Sequence, residues 1–341
     1  MLGRIRIPPF ARMKLFRIAR RSFRSAGKLS RLTTSDTPQR GAFHPAMTEP
    51  HAIFDASLLT ARRNRAAAGA GAHDFLLRRV ADDLAERLAI VRRDFAVAAD
   101  LGAHHGVVGR RIAAASNVGW LISLDPSQAL IAAAPAPRVV ARLDALPFAP
   151  ASLDLVVSGL ALHLVDDLPG ALIQIRRALK PDGLLLAALL GGRTLYELRE
   201  AWLAAEGEMA GGASPRVAPF ADVRDLGGLL QRAGFALPVA DADTVSVTYA
   251  DPIALMRDIK GMGASNMLAE RRRVPVTRGL LMRAAEIYAE RFGLDNGRVP
   301  ATFEILTLTA WAPHESQQKP LKPGSAQARL ADALGVRERK V

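Results

Sequence analysis

The chain has 341 residues, half of them apolar, enough for one large domain or two small ones with a sizeable core. It has no cysteine, which excludes disulfides, thiolate metal sites, a cysteine nucleophile and cysteine-ligated clusters, and it has no run of about 20 apolar residues that would cross a membrane. The net charge of +13 is concentrated: residues 1–46 hold eleven Lys or Arg against one acid, Asp36, so the charge describes a basic tail and not a nucleic-acid-binding face.

Residues 1–46 are rich in Arg and Ser, with Ile5, Ile7, Phe10, Leu15, Phe16 and Ile18 among them, and lack the apolar core of a secretory signal. Three readings compete: a mitochondrial transit peptide, a basic arm for an anionic membrane or nucleic acid, or sequence upstream of a true start at Met47. Each makes 1–46 a disordered basic extension, with the domain over 47–311 and an extended, proline-bearing tail over 312–341. The Ala- and Arg-heavy body suits a GC-rich bacterial genome and a cytoplasmic protein; a transit peptide would place it in the mitochondrial matrix.

Between residues 74 and 91, Leu76, Val80, Leu84 and Leu88 recur every four positions, one face of a helix. The apolar run 95–99 leads into Asp100-Leu101-Gly102, and a glycine-bearing turn opens a helix near 107–115. A second apolar run, 118–124, ends in Asp125. A helix over 126–134, a strand over 138–143, a proline-marked loop, a strand over 153–157, a helix over 168–179 and a strand over 184–190 follow. Continuous apolar strands alternating with helices predict a parallel sheet buried on both faces. The last third differs. A helix over 223–233 stops at Gly234. The segments 244–249 and 302–311 alternate in hydropathy, which predicts an antiparallel edge. Helices over 252–260 and 277–292 would cap the ligand end.

Ligands of open α/β sheets bind beyond the carboxyl ends of strands. Three acids fall at such ends: Asp100, Asp125 and Asp144. Gly102 and Gly106 let backbone approach a ligand, or simply turn a strand into a helix; His104 stands where a nucleotide-binding turn has its middle glycine. Asp125 can accept two hydrogen bonds from ribose hydroxyls, or cap the helix that Pro126 opens. Asp144 with Leu146 can frame an adenine, or be a loop acid before a proline turn. There is no Gly-x-Gly-x-x-Gly and no Walker A sequence, which argues against a dinucleotide dehydrogenase and a P-loop ATPase.

In this order the motifs resemble the class I S-adenosylmethionine-dependent methyltransferases. The resemblance runs from residue 94 to 190 and includes Ser152-Leu153-Asp154-Leu155-Val156-Val157-Ser158 and Leu179-Lys180-Pro181-Asp182-Gly183. It implies a Rossmann-like α/β fold with a seven-stranded, mostly parallel sheet, an antiparallel edge and a helical cap. It implies S-adenosylmethionine as cofactor. Asp100 heads the turn, Gly102 and Gly106 flank the methionine part, Asp125 holds the ribose, and Asp144 with Leu146 frames adenine.

A longer resemblance rests on Ile53-Phe54-Asp55, Arg62-Arg63-Asn64-Arg65-Ala66-Ala67, Leu162-His163, Asp167-Leu168-Pro169, residues 191–199, Ser214-Pro215-Arg216, residues 261–266 and His314-Glu315-Ser316-Gln317. Together these resemble the complex I assembly factors of the arginine-hydroxylase type and their alphaproteobacterial relatives. The resemblance implies hydroxylation of an arginine in the complex I quinone-site subunit. That subunit would be the protein substrate and the route to peripheral membrane association, with no nucleic-acid partner. The residues are less explicit about chemistry. None of the seven histidines begins a His-x-Asp or His-x-Glu pair, and no metal site is expected. His163 is a substrate-lining residue or a general base. Tyr196 and Glu197 follow the fifth strand on a helix with Arg199; Glu197 or Asp167 could pair with a guanidinium, or with a surface cation. His163, Tyr196 and Glu197 are the candidate catalytic residues. The rival readings are an O-methyltransferase acting on a carrier-bound or small-molecule carboxylate, and a non-catalytic assembly chaperone.

Overall fold

The computed structural model describes residues 52–318. The extension expected over 1–46 and the tail beyond 318 lie outside the described residues. One seven-stranded sheet organises the domain. Its strands are β1 (Phe95–Leu101), β2 (Val118–Asp125), β3 (Arg138–Val140), β4 (Leu153–Gly159), β5 (Leu179–Leu190), β6 (Ala236–Tyr249) and β7 (Val299–Trp311), in the order β3-β2-β1-β4-β5-β7-β6. The first five pair in parallel; β7 pairs antiparallel to both β5 and β6. Strand order reverses between β1 and β4, so the crevice for a ligand opens there.

Nine helices surround the sheet among the described residues: α1 (Ala56–Ala66), α2 (Phe75–Ala89), α3 (Val107–Ala113), α4 (Gln128–Ile131), α5 (Leu168–Ala178), α6 (Tyr196–Met209), α7 (Val223–Arg232), α8 (Pro252–Gly261) and α9 (Arg278–Phe292). On one face Leu84, Leu88, Trp202 and Tyr288 bury against Phe95, Leu155, Leu184 and Phe303. On the other, Leu172, Ile175, Leu226 and Leu230 bury against Leu124, Leu153, Leu185 and Leu308. The continuous apolar strands β4 and β5 are covered on both sides, as their composition requires.

The observed elements depart from the sequence expectation in several places. The helix expected over 126–134 is one turn, α4, capped by the Ser127 hydroxyl, which accepts from Leu130 N. β6 begins at Ala236 rather than 244, because 236–243 finds a ready partner in β7. Of the two expected cap helices, only α8 reaches the ligand end; α9 packs on the sheet face beside α6. The chain at 312–317 is folded: Ala312 exchanges hydrogen bonds with Gly183 and Asp182, and the Gln317 side chain donates to Asp182 Oδ1 at 2.9 Å.

One feature has no counterpart in the periodicity. α1 lies over the carboxyl end of the sheet, and a 3-10 segment (Ala67–Ala72) joins it to α2. The chain just before α1 pairs with residues 267–269: Asp55 N donates to Met267 O, and Ala269 N to Ile53 O, both at 2.9 Å. Phe54, Leu59, Met267 and Leu268 form a small core of their own. No described helix is long and apolar enough to cross a membrane.

Candidate functional site

The turn after β1 depends on glycine at two positions. Gly102 has φ +71°, and a Cβ there would lie 2.0 Å from the Ala161 Cβ. His104 also takes a left-handed conformation, φ 50°, where glycine is favoured. Its N–H donates to Asp125 Oδ2 at 3.0 Å, and its Nε2 donates to Gly159 O at 3.1 Å. That leaves Nδ1 to accept from the Arg63 guanidinium of α1. Gly106, φ +88°, opens α3 where a Cβ would meet the Ala134 backbone at 2.6 Å.

Asp125, at the end of β2, is fully buried. Its Oδ1 accepts from Ser127 N at 2.7 Å, and its Oδ2 lies 3.5 Å from Arg63 Nη2. It is not the cap of the next helix, a role Ser127 takes. The neighbouring Asn64 Oδ1 accepts from the Ser127 hydroxyl at 2.6 Å, so two consecutive residues of α1 reach the end of β2. Asp100, at the end of β1, is fully buried, and neither carboxylate oxygen has a hydrogen-bond partner. Burial, then the nearby charge of Asp125, pushes its carboxyl up to about 7. Asp144 sits in the loop after β3, paired with Arg142; Gln174 of α5 accepts from Leu146 N and donates to Asp144 O.

A cavity of about 340 Å³ adjoins this turn. It is walled by α1, the start of α2, the turns after β1 and β4, the start of α6, residues 216–220, and α8 with residues 262–268. Most of its wall is apolar. Its polar groups include Arg63, His73, Asp74, His104, His105, His163 and Arg216. His73 is fixed by Asp258, whose other oxygen accepts from the Tyr249 hydroxyl at 2.8 Å. His105 Nε2 donates to Asp74 Oδ2 at 3.0 Å. Arg216 stacks 4.6 Å from the Trp202 ring centre and pairs with the buried Glu206.

Of the expected catalytic residues, the structure brings one to the cavity. His163 lines it, edge-on to Phe220 at 5.4 Å. Burial, then the charge of Arg63, pushes its imidazole down to about 3. It is therefore neutral at neutral pH. Tyr196 and Glu197 are not on the cavity wall. α6 enters with Thr194, Leu195, Leu198 and Trp202 on that side. This turns Tyr196 edge-on to Phe292 and buries Glu197 under β7, where Thr302 donates to it through N and Oγ1. Asp167 caps α5 by accepting from Gly170 N. Tyr196, Glu197 and Asp167 do not line the cavity. Arg63, Asn64, Asp74 and His105 are the site residues that sequence reasoning passed over. The motif 62–67 was the signal for Arg63 and Asn64. No group of His, Cys, Asp and Glu among the described residues could hold a metal ion.

Residues 99–187 match the family model described as a methyltransferase domain. The chain is 39% identical over 287 residues to the arginine-hydroxylase NDUFAF5, mitochondrial, of Danio rerio, covering 82% of this chain and 89% of that protein. The Homo sapiens protein of the same name is 38% identical over 303 residues, covering 87% and 86%. The malonyl-[acyl-carrier protein] O-methyltransferase of Halorhodospira halophila is 38% identical over 273 residues, covering 78% and 90%.

Proposed function

The chain belongs to the methyltransferase-domain family that contains the arginine-hydroxylase NDUFAF5, and from that membership we propose that it is an arginine hydroxylase that binds S-adenosylmethionine. Its substrate would be the quinone-site subunit of respiratory complex I. The observation that carries the reading is the reach of the likeness. It extends over 82% of the chain, well past residues 99–187. Residues 194–198, 216–220 and 262–268, outside that core, wall the cavity. The relatives named mitochondrial support the mitochondrial alternative.

The turn after β1 fits the cofactor. Asp100 offers two buried, unpartnered carboxylate oxygens, and the path through Gly102 and Gly106 is set by conformations that favour glycine. Gly102 and Gly106 would flank the methionine part, Asp125 would accept the ribose hydroxyls, and Asp144 with Leu146 would frame adenine. Bound there, the cofactor carries a sulfonium-activated methyl group. Ribose hydroxyls would take the face of Asp125 that Arg63 now meets. Hydroxylation inserts one oxygen atom into a C–H bond; with dioxygen as the external oxidant, the second oxygen atom leaves as water and takes two electrons and two protons from an external reductant. The residues of the cavity bind and orient the arginine and exclude water. Mass analysis of the subunit from a deletion strain tests the proposal: an arginine peptide should lose the mass of one oxygen. Loss of one methylene mass would restore methyl transfer, and no change would leave a chaperone.

Asp125→Ala should weaken binding of S-adenosylhomocysteine, the demethylated product, by about 10- to 150-fold. Charge-assisted hydrogen bonds contribute roughly 1.5–3 kcal/mol. Calorimetry reads this directly, and equal affinity for wild type and variant would remove Asp125 from the ribose site.

A second reading has its own support. The carrier-protein methyltransferase relative spans nearly its whole length, and the buried Arg63, on the cavity wall, suits a carboxylate substrate. Transfer of labelled methyl groups to an extract would favour it.

A further inference from the structure

Asp74 occupies the position before α2 where a helix is normally capped, and it does not cap that helix. Asp55, Asp167, Asp222 and Asp251 hold the same position before α1, α5, α7 and α8, and each accepts from an N–H in its own first turn. The Asp74 carboxylate turns away instead. Its Oδ1 accepts from Arg78 Nε at 2.6 Å, and its Oδ2 accepts from His105 Nε2 at 3.0 Å. It is 8% exposed, and it is the one carboxylate among the described residues that line the cavity.

The surroundings accommodate an arginine side chain at Asp74, because the arginines of the wall, Arg63 and Arg216, have Asp125 and Glu206 as partners. Leu76, Leu77, Trp202, Phe303 and Met262 give apolar wall for an aliphatic stem. His104 and His163 are held neutral, by burial and by Arg63, and add no opposing charge. Burial raises the Asp74 carboxyl, but Arg78 and His105 outweigh it and hold it below the ordinary carboxylate range, so it stays ionised. Arg78 shows that the carboxylate already takes a guanidinium. Its side chain is 64% exposed and four residues along the same helix, the geometry of a weak, exchangeable pair.

We propose that Asp74, oriented by His105, is the anchor for the guanidinium of a substrate arginine, which replaces Arg78 on the carboxylate. The proposal rests on the arginine reading above. It involves no proton transfer: one guanidinium leaves and another arrives, in two parallel hydrogen bonds where Arg78 makes one through Nε.

The test uses the full chain and two small probes, N-acetyl-arginine methylamide and its neutral isostere N-acetyl-citrulline methylamide, titrated by NMR. Wild type should prefer the arginine probe by about 10-fold or more, the range expected of a charge-assisted pair. Asp74→Asn should abolish the preference while leaving the melting temperature and S-adenosylhomocysteine affinity near wild type. Asp74→Glu should restore part of it. Arg78→Ala, an exposed change, should tighten the arginine probe by removing its competitor, and it serves where Asp74→Asn fails to fold. No preference in wild type would overturn the arginine reading itself. A preference that survives Asp74→Asn, or an arginine affinity unmoved by Arg78→Ala, would overturn the assignment of Asp74 alone.

Discussion

Glu206→Ala is expected to cost about 3–5 kcal/mol of unfolding free energy, the range for removing one partner of a buried ion pair. Glu206 on α6 has no exposed surface. It accepts from Ser214 N at 2.6 Å, from the Ser214 hydroxyl at 2.9 Å and from Arg216 Nε at 3.0 Å. One carboxylate therefore ties residues 214–216 to the helix and leaves Arg216, the cation over Trp202, dependent on it. Burial raises its carboxyl, but the bonds from Ser214 and Arg216 outweigh that and hold it below the ordinary range. The stabilisation it provides is thus present above the usual carboxylate pKa and is lost as pH falls through the lowered folded value. Urea unfolding at neutral pH measures the loss. Arg216→Met, which keeps much of the packing but leaves the Glu206 carboxylate without its cation, should cost a comparable amount if the charge pair is what matters. A loss under about 1 kcal/mol for Glu206→Ala would mean that water reaches Arg216 and satisfies it.

Asp100 pulls the other way. Its folded pKa, about 7, lies above the reference value of 3.8. Below 3.8 both states hold the proton and nothing is lost. Between 3.8 and 7 the folded state keeps a proton that the unfolded state has released, so stability falls as pH rises; above 7 the penalty is complete. The shift corresponds to roughly 4 kcal/mol at 1.36 kcal/mol per unit. Asp100→Asn should therefore stabilise the protein at pH 8 and leave it nearly unchanged at pH 4. Its gain over wild type should grow steadily between the two. Chemical unfolding at several pH values gives that difference curve. A gain independent of pH would show that the Asp100 carboxyl titrates as it does in water.

The strands were legible where their own residues carry the signal. β1, β2, β4 and β5 are apolar runs because each is covered on both faces near its carboxyl end. The first half of β6 gave no such signal. It is the edge of the sheet, and its acids are spent outside the core: Asp241 takes two bonds from Arg87 of α2, and Asp243 takes one from Arg79. The glycine turn and Asp100 with Asp125 were legible because turn chemistry is local. Arg63 was not, because its partners are 41 and 62 positions away along the chain. Asp74 read as an ordinary helix start for the same reason: what diverts it is His105, 31 residues on. Helix phase takes Tyr196 and Glu197 off the cavity wall. Consecutive helical residues point about 100° apart, so a site reading on α6 needs the packing of Leu198 and Trp202 as well as the motif.

The strand order has a consequence for synthesis. β7 lies between β5 and β6, yet it is the last made of the seven described strands. A chain emerging from the ribosome presents the bare edge of β5 and the whole of β6 before either has its partner. About 60 residues separate the ends of β6 and β7, roughly 3 to 12 seconds at about 5 to 20 residues per second. During that interval two long, unpaired edges are open to other nascent chains, so the molecule depends on prompt completion or on chaperone cover. A premature stop between β6 and β7 leaves both edges exposed permanently. Such truncations should appear as aggregates and not as partly active fragments, even though every residue of the glycine turn would already have been made.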